Sequence, residues 1–281
     1  MSRKYRVRPH EWSSYPPTGR RQVRTGGLRQ RHWAVLAVLA EHGVLHTGQV
    51  TALLFGSRPA AVRHLSTLVD AGLVWRFVDG HDSRHLAFYE LSLEGQETVA
   101  ARLRAAGRPV PLALGSQSQA TFVVNDFFVA LAEVERQGHG QLFRWRRALD
   151  ATAWLRRLGV PDVAPQAYGV WIQDDRAVRF LLHVDDGRAD PLFDDPPPPP
   201  GKALDGYRLA PTGVPVTAVL MICADDRERE AHADRTIAEL PVTVAVTTLA
   251  RLYAAVSPAG AIWTRADDPG RTVRLIDLAD S

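Results

Sequence analysis

Lysine is nearly missing from this 281-residue chain: Lys4 and Lys202 are the only two among 34 basic residues, and arginine supplies the rest. Cysteine is scarcer still. The single Cys223 sits in the apolar run 219–224, so no disulfide can form within the chain, a buried inert thiol is expected, and a reducing cytoplasm fits. Although 46% of the residues are hydrophobic, no uninterrupted apolar run approaches the ~20 residues that cross a bilayer, which argues for a soluble protein without a membrane partner. The basic N-terminus has no apolar stretch behind its charges and does not read as a secretory signal. Phosphate-cradling glycines are absent as well: Gly201 and Lys202 precede Ala203 and lack the upstream glycine spacing, and no Ser-His-Asp elbow is found.

Acidic residues are missing where basic ones gather. Residues 1–32 hold nine Lys or Arg, among them Arg20, Arg21 and Arg24, against the one acid Glu11, so this segment carries +8 of a net +3 and the remainder −5. Local fields rather than net charge steer polyanions. An arm over residues 1–27 can therefore lie along phosphates, or serve only as a solubilising tail.

Length favours two domains. In the first, residues 28–106, apolar positions at Trp33, Leu36, Ala37 and Ala40 have helical spacing, and Gly43 ends that helix. Thr47 is the expected N-cap of a second helix reaching Phe55 with Val50, Leu53 and Leu54 inside, and Gly56 stops it. Ser57 should cap a third helix, with Pro59 in its first turn and Val62, Leu65, Leu68 and Val69 buried, that stops at Gly72. Strand-like runs at 73–78 and 86–91 flank a turn-rich 79–83, and a helix follows at about 93–103. Three helices, a hairpin and a helix make a winged helix-turn-helix, whose third helix enters the major groove of double-stranded DNA. Its outward residues Arg58, Ala60, Arg63, His64 and Thr67 become the candidate contacts, with Arg63 offering a fork to guanine and Arg84 in the wing reaching the backbone. A protein-docking role is the alternative for such a module. His81 and His85 do not share a helical face, so no metal site is expected there.

Residues 107–119 read as a Gly, Pro and Ser linker. Beyond it a helix is expected at 121–137, strands at 141–146, 167–173 and 178–184, a short helix at 202–209, an apolar strand at 216–223, a charged helix at 226–240 and a core strand at 242–247. The run Pro196 to Pro200 should form a stiff polyproline II spacer. This order, within residues 120–266, is similar to the core of the PD-(D/E)xK nucleases, and residues 267–281 are left as a tail. If residues 174–176 turn the hairpin, Gln166 falls opposite Val184, and positions near 166, 183 and 185 converge, where two carboxylates would hold Mg²⁺.

The blocks HWAVLAVLAEHGVLHTGQVTALLF, RHLSTLVDAGLV, VVNDFFVALA, APQAYGVW, FLLHVDDG, PVTVAVTTLARL and IWTR, in this order, resemble the replication-relaxation family of high-GC bacteria and their plasmids. The resemblance runs from about Leu28 to Arg265. It implies α+β architecture: a winged helix joined to a mixed-sheet, restriction-endonuclease-like α/β domain, with a role on plasmid, mobile-element or chromosomal DNA. The chain departs from the family at the metal site. The family's P-D-A is here Pro165, Gln166, Ala167, and its E-V-D-R-G is His183, Val184, Asp185, Asp186, Gly187. Glutamine offers only a neutral carbonyl, and histidine is a poor ligand for hard Mg²⁺.

The resulting expectation is a non-catalytic DNA-binding protein, nucleoid or plasmid associated, needing no cofactor or metal. Its degenerate site is Gln166, His183 and Asp185, and its second domain is a scaffold that can serve a homodimer or a protein partner. The alternatives are an active Mg²⁺ nuclease, with acids shifted to Asp162, Asp186, Asp190, Asp194 and Asp195, and a ligand-sensing transcription regulator. The histidine cluster of a rolling-circle relaxase is absent.

Overall fold

The computed structural model describes residues 27–78, 86–108, 110, 119–161, 163–185, 214–226 and 242–279. They fall into two units, Met1–Gly115 and Ser116–Ser281.

In the first unit α1 (Gln30–His42), β1 (Leu45–His46), α2 (Thr47–Leu54) and α3 (Arg58–Asp70) precede the hairpin β2 (Val74–Val78) and β3 (Ala87–Leu91), and α4 (Leu93–Ala105) closes it. The three strands pair in the order β1-β3-β2, with Leu45 opposite Tyr89 and Val74 opposite Leu91. This is a winged helix-turn-helix. Gly43 and Gly72, at φ 71 and 73, take the left-handed turns that stop α1 and α3. Ser92 fixes the start of α4: its hydroxyl donates to Gly72 O (2.7 Å) and accepts from the Gly95 N–H (3.0 Å).

The helix faces are rotated from the expected ones. α1 buries His32, Val35, Leu36 and Leu39 while Ala37 is exposed, because small alanines satisfy an apolar pattern without marking a face. α2 is capped by His46 and not Thr47: the His46 Nδ1 accepts from the N–H groups of Gly48 (3.0 Å) and Gln49 (3.3 Å), and Gln49 Oε1 accepts from the His46 N–H (2.8 Å). Within α3 the buried residues are Ala61, Leu65 and Leu68, and Val62 is 43% exposed. Ser57 stands at the N-cap position but makes no side-chain cap bond.

The second unit is a mixed seven-stranded sheet, β10-β9-β8-β7-β6-β5-β4. Its described elements are α5 (Gln119–Arg136), β4 (Gln141–Arg147), α6 (Ala148–Arg157), β5 (Ala167–Gln173), β6 (Arg176–Asp185), β7 (Ala218–Cys223), β8 (Thr243–Thr248), α7 (Leu249–Ala254), β9 (Trp263–Arg265) and β10 (Asp268–Val273). β6, β7 and β8 run parallel, whereas β4, β5, β6 and β8, β9, β10 pair antiparallel. α5 places Val123, Phe127 and Leu131, with Val124 and Phe128, at i, i+4, i+8 spacing on one face of the sheet. Full burial of each such side chain stabilises by roughly 1.5–3 kcal/mol. Gly169 leaves room there for the Phe180 ring, which a Cβ would overlap. Ala151 and Leu155 of α6 pack on the opposite face with Tyr168, Leu181 and Met221.

Several elements differ from the sequence expectation, β1, α7 and β9 among them, for which no element is predicted. α6 occupies a stretch for which the sequence pattern predicts no element, and the expected tail contains β10 and a 3₁₀ turn (Leu275–Leu278) whose Leu275, Ile276 and Leu278 are buried in the α5-side core. The Lys202 helix, the 226–240 helix, the polyproline run and the wing tip with His81 and His85 lie outside the described residues, as does most of the 107–119 linker.

Candidate nucleic-acid interface

α3 is amphipathic in a way that frees one face. Leu65 and Leu68 anchor it; Pro59, Val62, Arg63, Ser66, Thr67 and Asp70 form the exposed arc. Among the described residues no carboxylate pairs with Arg63. Arg58 is exposed in the first turn, and Ala60 is half-buried. Thr67 is exposed, but its hydroxyl donates to Arg63 O (3.0 Å), leaving it free only as an acceptor.

His64 does not stand on this face. It turns inward, its ring stacked on Phe55 with centroids 5.1 Å apart and meeting His32 edge-on at 4.7 Å. Its Nδ1 is buried without a hydrogen-bond partner. Burial first, then the nearby Arg63, Arg31 and Arg29 charges, holds its pKa below the ordinary value. His32 is lowered likewise by burial, then by His64 and Arg29, and its Nδ1 accepts from the Arg29 N–H (3.0 Å). Both imidazoles are neutral near pH 7. Assigning His64 to a base edge is corrected: with Phe55 and His32 on either side, the ring is used in packing.

Sequence reasoning counts Arg29 and Arg31 only among the charges of segment 1–32, and misses Arg76. Arg31 donates to Leu54 O (2.8 Å), satisfying the carboxyl end of α2, and its guanidinium lies 5.9 Å from the Phe55 ring centroid. Arg29 adds charge beside it, and Arg76 is exposed on the wing strand β2. A lone arginine amid the apolar residues of the expected 73–78 strand was the available signal for Arg76. Arg20, Arg21, Arg24 and Arg84 lie outside the described residues.

In the second unit the hairpin is tighter than the sequence suggested. Asp174 and Asp175, at φ 52 and 58, make a two-residue turn between Gln173 and Arg176. Ala167 therefore pairs with Leu182, and the same register puts Gln166 opposite His183 instead of Val184. Leu182 and Val184 face the α5 core, so alternation sends His183 and Asp185 to the other face. Gln166, His183 and Asp185 do converge at the ends of β5 and β6, one register step from Cys223, which faces Asp185 in β7.

These residues do not fit a divalent metal. Gln166 Oε1 already accepts from the Val184 N–H (3.2 Å), His183 is 5% exposed, and Asp185 is the only carboxylate of the three. No group of three or more metal-ligating side chains is found among the described residues. Asp162, Asp186, Asp190, Asp194 and Asp195 lie outside them.

A family model described as replication-relaxation matches residues 36–192, just over half of the 281-residue chain. The chain belongs to the replication-relaxation family. No curated protein matches it. Among solved structures it is similar to an S. aureus MepR–DNA complex (22% identity, TM-score 0.27, covering 28% of this chain and 65% of that one). It is also similar to a mutant of MarR from E. coli complexed with operator DNA (20% identity, TM-score 0.27, 29% and 57%). A third is the adhesin competence repressor AdcR from Streptococcus pyogenes (18% identity, TM-score 0.26, 30% and 60%). The chain spans between 57% and 65% of the length of these three. No helix among the described residues is long and apolar enough to cross a membrane.

Proposed function

We propose that this replication-relaxation protein binds double-stranded DNA without cutting it, reading the major groove with α3. The observation that carries the reading is the exposed arc of α3, where Arg63, paired with no carboxylate among the described residues, stands beside Val62 and Thr67 on a helix anchored by Leu65 and Leu68. A guanidinium fork matches guanine O6 and N7, and a valine can pack on a thymine methyl. Arg58 at the start of the helix and Arg76 on the wing supply phosphate contacts on either side. The second unit acts as a scaffold of nuclease-like strand order whose catalytic positions are occupied by Gln166 and His183. One amide, one imidazole and one carboxylate replace the acid cluster that Mg²⁺ chemistry requires. Action on plasmid, mobile-element or chromosomal DNA within the cell belongs to the same proposal.

The test is a titration of a labelled duplex with the full chain, followed by incubation of supercoiled plasmid with Mg²⁺ or Mn²⁺. Saturable binding with the plasmid left intact supports the reading. Chelator-sensitive cleavage overturns its non-catalytic half.

A further inference from the structure

The second unit carries a basic face that the α3 reading does not use. β4 is the edge strand of the seven-stranded sheet. Its Trp145 stacks on Phe128 of α5, centroids 4.7 Å apart, so alternation sends Arg144 and Arg146 to the α6 side. The register then aligns them with β5 and β6: Arg144 lies opposite Val170, which lies opposite Arg179, and Arg146 lies opposite Tyr168. Arg144 and Arg179 thus stand in one row, two strand spacings or roughly 10 Å apart, with Arg146 in the next row.

All three guanidiniums act on the Tyr168 phenol, opposing the rise that burial imposes on its pKa. Trp154 of α6 packs against that ring at 4.4 Å. Arg144 and Arg179 are exposed, and none of the three pairs with a carboxylate among the described residues. The Arg146 Nε is buried with no hydrogen-bond partner. A register irregularity between Leu142 and Arg144 pushes Phe143 outward, leaving it 57% exposed with the Arg144 guanidinium 5.7 Å from its ring centroid.

Three cations held on one sheet face, with no carboxylate paired to them among the described residues, repel one another, although the chain beyond residue 32 carries a net −5. An anion relieves that repulsion. The cations are spread over two neighbouring rows of the sheet and not gathered in a cradle, which suits successive phosphates of a polymer better than a single phosphate group. The exposed aromatic beside them offers what an unpaired base needs, a flat apolar surface flanked by a guanidinium. We infer that Arg144, Arg146 and Arg179 hold the phosphates of a nucleic-acid strand, with Phe143 as the stacking platform for a base. This rests on the reading that the chain binds DNA, and gives the second unit a contact of its own.

The experiment uses the full chain and two labelled probes, an oligothymidine strand and a duplex of equal length, titrated by anisotropy across a salt series. The variants are Arg144→Gln with Arg179→Gln, Phe143→Ala, and Arg63→Ala, with thermal melts confirming that each is folded. The wild type should bind the strand. The double variant should flatten the dependence of log K on log salt by about 0.7 for each arginine removed. Phe143→Ala should weaken strand binding on the order of tenfold and duplex binding by less. A flattened slope on the duplex, with Phe143→Ala silent, upholds the phosphate contact and overturns the base platform. No strand or duplex effect of the double variant overturns the inference, whereas loss of duplex binding in Arg63→Ala is decided independently and bears on α3 alone.

Discussion

The imidazole of His64 lies against Phe55, centroids 5.1 Å apart and planes 24° from parallel, and its other side meets His32 at 4.7 Å. α3 is thereby joined to α1 through two neutral histidines surrounded by Arg29, Arg31 and Arg63. Both histidines have pKa values lowered in the folded state, so between that lowered value and the ordinary 6.5 the unfolded chain binds more protons than the native one. Stability therefore rises with pH across this window and is lost as the pH falls through it. The melting temperature should drop on acidification from about pH 7.5 to about pH 5. His64→Phe, which keeps the stack and removes the titration, should drop by less. An identical pH dependence in the variant would remove the histidine pair as its cause.

In the second unit, Gln166 Oε1 accepts the Val184 N–H. Gln166→Ala leaves that donor without its partner and should lower stability by about 1–3 kcal/mol, read from a denaturant melt. Gln166→Asp combined with His183→Glu should instead assemble three carboxylates with Asp185, since the observed register places all three positions at one end of the hairpin. Crowded acids destabilise the fold, and Mg²⁺ binding only the native state restores it. A Mg²⁺-dependent rise in melting temperature is expected in the double variant and not in the wild type. The same rise in the wild type would mean that the metal site is intact and elsewhere.

Removal of residues 1–27, which hold Arg20, Arg21 and Arg24, should weaken duplex binding nearly equally for all sequences. The dependence of log K on log salt should become shallower by about 0.9 for each phosphate that the arm no longer neutralises. An unchanged slope would leave the arm a solubilising role.

Much of the fold was legible because breakers and strong apolar runs mark it. Gly43, Gly56 and Gly72 delimit the three helices, and the continuous Ala218–Cys223 run, buried throughout, announces a central strand. Helix phase was less legible. Alanines at 37 and 40 match a buried stripe in spacing, whereas His32 and His42, polar by type, are the residues inside. β10 was hidden by Pro269 and Gly270, and pairs only because it lies at the sheet edge, where a missing N–H is tolerated. The site was legible by position and not by role. Helical spacing put Arg63 and Thr67 outside correctly, but a histidine's polarity says nothing of an aromatic partner brought to it by another element. The hairpin register differs by one residue because two aspartates, and not three residues, make its turn.

Arg63 is exposed and pairs with no carboxylate among the described residues. Duplex affinity of the full chain, wild type against Arg63→Ala, measured at fixed salt with the melting temperature of each protein alongside, is the most direct test of a DNA-reading α3. The expected result is a loss of about 1–3 kcal/mol in binding, with relaxed preference at one base pair and an unchanged melt. Equal affinity of the two folded proteins for every duplex tried would contradict it, and would make this winged helix a surface for protein partners.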